Sequence, residues 1–131
     1  MESSNKFRVL IADQFSEEGM KELVQSGLDV KYDAGLNGES LTKALAEYHP
    51  QVLVVRSTKV TAADVDADPK LQLVVRAGAG YDTIDVAYCA KQGVYVANCP
   101  GKNSHAVAEL TMGFILSIDR RIPEGVQLLR E

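Results

Sequence analysis

Two rhythms of apolar residues alternate along the chain. Phe7-Arg8-Val9-Leu10-Ile11-Ala12 is a short run rich in β-formers and predicts a buried strand. Ser16 then stands before Glu17 and Glu18, with Gly19, Met20, Leu23 and Val24 behind them and Gly27 closing the segment. A capping serine, acids in the first turn and a terminal glycine are the punctuation of a helix. Leu28-Asp29-Val30-Lys31-Tyr32 alternates, which predicts an edge strand with one wet face. A second helix is expected from Glu39 or Ser40 to Tyr48, stopped by His49-Pro50. Gln51-Val52-Leu53-Val54-Val55 is continuously apolar and should be the central strand. Thr61-Ala62-Ala63-Asp64 opens a short helix that Asp68-Pro69 interrupts. Leu71 to Val75 reads as a strand ending at Arg76, Ile84 to Gln92 as a helix stopped by Gly93, and Val94-Tyr95-Val96-Ala97 as a fifth strand.

The order βαβαβαβαβ implies an α/β fold with a mostly parallel sheet and helices on both faces. Five strands in about a hundred residues match the flavodoxin-like doubly wound arrangement better than a six-stranded dinucleotide fold. After Asn98-Cys99-Pro100-Gly101-Lys102 a long helix is expected from Asn103 or Ser104 to Arg121. Its apolar residues, among them Val107, Leu110, Phe114, Leu116 and Ile118, cover most of the circumference instead of one stripe. Such a helix needs cover on more than one side, either from a second copy or from a further domain. The expected organisation is a sheet domain over 1–100 and a linker with this helix over 101–131.

Composition narrows the function classes. The 131 residues carry fourteen basic and eighteen acidic side chains, a formal charge of −4. That balance argues against a general nucleic-acid coat, which wants a basic face. No apolar run approaches the length of a membrane span, and Met1-Glu2-Ser3-Ser4-Asn5-Lys6 lacks a secretory leader pattern. Cys89 and Cys99 are too few for a disulfide scaffold or a four-ligand zinc site. A reduced, cytoplasmic location is the expectation.

In an open parallel sheet, ligands bind beyond the carboxyl ends of the strands. Those ends read Asp13-Gln14, Arg56-Ser57-Thr58-Lys59, Arg76-Ala77-Gly78-Ala79-Gly80 and Asn98-Cys99-Pro100. Two arginines and a lysine at strands expected to be neighbours reverse the local charge of an acidic protein and favour an anion. Gly78 and Gly80 allow close backbone approach, so amides between them could cradle a carboxylate or phosphate. Either feature alone is commonplace, since strand-end arginines are often solvated and G-x-G is often a turn. Their coincidence is what marks this edge. Other candidates carry less: His49 reads as a surface residue, His105 lies in the first turn of the last helix, and Cys89 should pack inside its helix. Asp64, Asp66 and Asp68 alternate as a calcium loop does, but the glycine and downstream glutamate are missing, so a solvated acidic turn is expected. No Ser-His-Asp set or metal-ligand cluster is evident. A signalling receiver is excluded by Asp13-Gln14 and Arg56 where it needs acids, and the acidic stretch from Asp13 to Glu18 is a poor flavin-phosphate cradle.

Taken in order, Val55-Arg56-Ser57-Thr58-Lys59-Val60-Thr61, Arg76-Ala77-Gly78-Ala79-Gly80-Tyr81-Asp82-Thr83-Ile84-Asp85, Gly93-Val94, Asn98-Cys99-Pro100, Asn103-Ser104 and Val107-Ala108-Glu109 closely resemble the D-2-hydroxyacid dehydrogenases. The resemblance implies the substrate-binding part of an NAD-dependent enzyme that oxidises 3-phosphoglycerate to 3-phosphohydroxypyruvate, a step towards serine. It places Arg56 and Ser57 at the substrate, the amides around Gly78 and Ala79 on its carboxylate, and Arg76 with Lys59 towards its phosphate. Asn103 and Ser104 would begin a helix crossing towards the nicotinamide, and two copies would pair through the 104–121 helix and the cofactor domain. The family's catalytic arginine, glutamate and histidine have no counterpart here, so no catalytic residue is expected. Thr83 replaces the third glycine of a G-x-G-x-x-G turn. The chain is therefore expected to be a piece of a longer enzyme and inactive alone; the alternative is a stand-alone module binding an anionic metabolite.

Overall fold

The computed structural model describes residues 6–130; the leader reading over Met1 to Asn5 lies outside them, as does Glu131. The elements run β1 (Arg8–Ile11), α1 (Glu17–Gln25), β2 (Asp29–Tyr32), α2 (Glu39–Tyr48), β3 (Val52–Val55), α3 (Ala62–Asp66), β4 (Leu73–Arg76), α4 (Val86–Lys91), β5 (Tyr95–Asn98), α5 (Ser104–Asp119) and α6 (Ile122–Leu128). All strand pairs are parallel, in the order β2-β1-β3-β4-β5. This is the flavodoxin-like doubly wound order, with β3 at the centre as its unbroken apolar run requires. The chain divides into two compact units, Met1–Pro100 and Gly101–Glu131.

The strands are short, and alternation sends their side chains to two unequal cores. Leu10, Leu53, Val55 and Val74 pack with Leu41 and Leu45 of α2, Val65 of α3 and Cys89 of α4. On the other face Val9, Ile11 and Val54 meet Phe15 with Met20 and Leu23 of α1. Ser16 caps α1 as its sequence predicts, its hydroxyl accepting from the Gly19 amide at 3.1 Å.

The three alternating aspartates do not form a solvated turn. Asp64 and Asp68 are buried, and only Asp66 is exposed. The Asp64 carboxylate caps α3 by accepting from the Thr61 amide (2.8 Å) and hydroxyl (2.8 Å), and it ties α3 to α2 through the Thr42 hydroxyl (2.7 Å). Asp68 accepts from the Lys70 amide at 3.0 Å and meets His49 Nδ1 at 3.1 Å. His49 is thus half-buried beside a carboxylate instead of a free surface residue, and it closes α2 in the left-handed region with φ 52°.

Two helices differ from expectation. α4 begins at Val86, not Ile84, because Ile84 is held in a parallel bridge to Val60. The Val60 amide donates to the Thr83 carbonyl (2.9 Å) and the Asp85 amide to the Val60 carbonyl (3.0 Å), which leaves Asp85 to cap the helix. α5 stops at Asp119 instead of Arg121, since Arg121 adopts φ 52°, and a short unforeseen α6 follows with Pro123 in its first turn.

Candidate functional site

Parallel pairing in register brings the carboxyl ends of β1, β3, β4 and β5 to one edge of the first unit. Ile11 lies opposite Val54, and Val55 opposite Arg76, so Asp13, Arg56 and Arg76 follow side by side. The chain passes from β1 to β2 on one side and later to β3 on the other, so the gap between β1 and β3 is the topological switch point, where such folds usually receive a ligand.

That crevice holds a carboxylate of the chain itself. Asp13 Oδ2 accepts from three successive amides, Arg56 (2.7 Å), Ser57 (3.0 Å) and Thr58 (2.9 Å). Asp13 Oδ1 takes the Ser57 hydroxyl at 2.9 Å. Partial burial disfavours the charged form of Asp13, but the Arg56, Thr58 and Ser57 amides outweigh it and hold the carboxyl well below the usual carboxylate range. Asp13 did not stand out as a site residue from sequence because its donors lie 43 to 45 positions away. The signal was available in the strand order: once β1 is placed beside β3, an aspartate two residues past one strand falls against the loop leaving the other.

Ser57 is therefore committed to Asp13, whereas the Arg56 and Lys59 side chains are exposed and have no ion-pair partner among the described residues. The 56–60 loop is joined to the next loop by the Val60 and Ile84 bridge.

At the end of β4, Arg76 folds over its own turn. The guanidinium lies where a Cβ at Gly78 would stand, so any larger residue there would push the Arg76 side chain aside. Arg76 Nε is buried without an acceptor. The Gly78 amide is not free to cradle an anion as the sequence led us to expect, since it donates back to the Arg76 carbonyl at 2.8 Å. The amides of Ala79 and Gly80 have no acceptor among the described residues. This loop is anchored from β5: the Asn98 side-chain amide donates to the Ala79 carbonyl (2.7 Å), and the Cys99 amide to the Gly78 carbonyl (2.9 Å). Asn98 and Cys99 are thus positioning residues whose role sequence spacing could not reveal.

The donors along this edge form a shelf. Two grooves of the first unit lie away from it, one of about 400 Å³ along Val86, Gly93 and Tyr95, and one of about 140 Å³ at the opposite strand ends, by Phe7, Gln51 and Gln72. In the second unit Asn103 precedes α5 without a side-chain cap, Ser104 opens it, and His105 is exposed. Among the described residues no cluster could hold a metal ion, and no helix is long and apolar enough to cross a membrane.

Comparison with known proteins agrees with this architecture. Residues 9–120 match the model of the D-isomer specific 2-hydroxyacid dehydrogenase catalytic domain. The chain is 39% identical over 124 residues to the D-3-phosphoglycerate dehydrogenase of Methanocaldococcus jannaschii, covering 94% of this chain and 23% of that protein. It is 38% identical over 128 residues to the hydroxypyruvate reductase of Thermotoga maritima, covering 96% of this chain and 41% of that one. Its fold superposes on NAD+-bound 3-phosphoglycerate dehydrogenase from Entamoeba histolytica with a TM-score of 0.74 and 28% identity, over 86% of this chain and 39% of that chain. The chain spans about a quarter of the length of the curated phosphoglycerate dehydrogenases it matches. A parallel 2-1-3-4-5 sheet, an arginine-bearing carboxyl edge and a family match over most of the sequence converge: this chain belongs to the D-isomer specific 2-hydroxyacid dehydrogenase family.

Proposed function

We propose that this chain is the substrate-binding portion of an NAD-dependent oxidoreductase that oxidises 3-phosphoglycerate to 3-phosphohydroxypyruvate on the route to serine. The observation that carries this reading is the pair Arg56 and Arg76. They end adjacent strands, neither is paired with a carboxylate among the described residues, and Arg76 Nε is buried with no acceptor. A buried donor left unmet costs about 1–3 kcal/mol, which the oxygens of a bound anion would restore. Two guanidinium groups suit a ligand with two anionic ends, and the exposed Lys59 adds a third positive charge on the same loop as Arg56. The open Ala79 and Gly80 amides supply donors for the carboxylate end.

The residues present do not fit the cofactor's phosphates. Thr83 stands where a third glycine is needed, the Gly78 amide is turned inward, and α4 starts only at Val86. NAD is therefore assigned to residues other than the Gly78-Ala79-Gly80 loop, with Asn103 and Ser104 its expected neighbours by family likeness. By the family resemblance, the arginine, glutamate and histidine of catalysis have no counterpart in these residues, so the 131-residue chain is read as a binder that turns over nothing by itself. The apolar circumference of α5 supports pairing of two copies through this helix.

The test is to isolate the native species from its source cells with an antibody to this chain. A species more than about twice 14.2 kDa, as an added domain requires, that reduces NAD when given 3-phosphoglycerate is the expected result. A native species of 14.2 kDa without that activity would make the chain a stand-alone anion-binding module instead.

A further inference from the structure

We propose that Asp13 is a built-in anion that fills the switch-point crevice and thereby positions the Arg56-Ser57-Thr58 loop for substrate. The inference rests on the substrate reading above. Three consecutive amides pointing at one oxygen form the kind of concave donor set that elsewhere receives a phosphate or carboxylate ligand. Here the donors are met from within the chain, and the Ser57 hydroxyl closes the set from the side.

Two consequences follow from that occupancy. The crevice between β1 and β3 is closed to any external anion, so a ligand is confined to the shelf formed by Arg56, Arg76 and the Ala79 and Gly80 amides. The backbone at Arg56 is also fixed at its own amide, next to the side chain that would meet the ligand. A guanidinium on a preset backbone loses less freedom on binding than one on a loose loop. Asp13 touches no substrate in this scheme and acts entirely through the loop it holds. Thr58 reinforces it from the far side, its hydroxyl donating to the Leu36 carbonyl at 3.4 Å.

The experiment follows the amide resonances of the 131-residue chain and of Asp13→Ala while 3-phosphoglycerate, and separately sodium formate, are added. In the variant the Arg56, Ser57 and Thr58 amide signals should move and lose exchange protection, while those of β3 stay in place. Affinity for 3-phosphoglycerate should fall roughly tenfold or more. Formate should then shift those three amides in the variant but not in the unaltered chain, and should recover most of the lost affinity. A purely structural aspartate predicts no such recovery. Glu47→Gln, which removes one charge at the far end of α2, should match the unaltered chain. Asp13→Asn, with nearly the same shape, serves if the alanine variant does not fold, and it should show the same amide shifts and weaker binding. Unmoved amides, undiminished affinity, or formate seated on the amides without recovery of binding would each overturn the proposal. Failure of the unaltered chain to bind 3-phosphoglycerate overturns the substrate reading instead; the formate response, which needs no substrate, tells the two failures apart.

Discussion

Asp13 commits a negative charge to three backbone donors, and the sign of its pH effect follows from that. Its folded-state value lies below the ordinary carboxylate value near 4, because the amides of Arg56, Thr58 and Ser57 more than offset the cost of partial burial. The stabilisation is therefore complete above about pH 4 and is lost as pH falls below it. Asp13→Asn should flatten this acid limb: between about pH 6 and pH 2 the variant's stability, followed by urea unfolding, should fall less steeply than that of the unaltered chain. Equal slopes would remove Asp13 as a contributor. At this scale the sequence was readable where chemistry is local and opaque where it is not. Ser16 announced its cap because its partner is three residues away. Asp13 did not, since its donors arrive through strand pairing, nor did the contact of Asp68 with His49, 19 positions away.

Element by element, apolar rhythm and turn signals located all five strands and the first five helices, and each misreading has its own cause. Asp64 looked solvated because alternating acids usually are, yet its carboxylate is the acidic half of a capping box and also joins two helices. Asp64→Ala should cost about 2 kcal/mol, since it removes the cap and leaves the Thr42 and Thr61 hydroxyls without their acceptor. Chemical denaturation would read this directly, and a loss below about 0.5 kcal/mol would mean water replaces the carboxylate. The stop near Arg121 was legible in the charged run Asp119-Arg120-Arg121; the short α6 beyond it was not expected, although Pro123 was the local clue to a new first turn. The start of α4 moved for a non-local reason, the bridge between Val60 and Ile84, which also joins the two loops that carry Arg56 and Arg76.

For the whole molecule, the unequal treatment of apolar surface is the informative feature. Leu10, Leu53 and Val74 are fully buried, while Phe114 is 59% and Ile118 77% exposed. Apolar residues left in water around a whole helix circumference favour association. Phe114→Glu should raise the solubility of this chain without lowering its melting temperature; a clear loss of melting temperature would assign the side chain to local packing instead. The site's two arginines were legible as a charge reversal at strand ends, and their adjacency followed from fold class. Which amides remain open was not, because residue spacing does not announce that the Gly78 amide turns back onto the Arg76 carbonyl.

The most direct test of the account is calorimetric titration of the chain with 3-phosphoglycerate, alongside glycerate and the Arg56→Ala variant. 3-Phosphoglycerate should bind more tightly than glycerate, and Arg56→Ala should weaken it by about 1.5–3 kcal/mol, the scale of a hydrogen bond to a charged group. Equal affinities for the two ligands, or an Arg56→Ala chain that binds phosphoglycerate unchanged, would contradict the account.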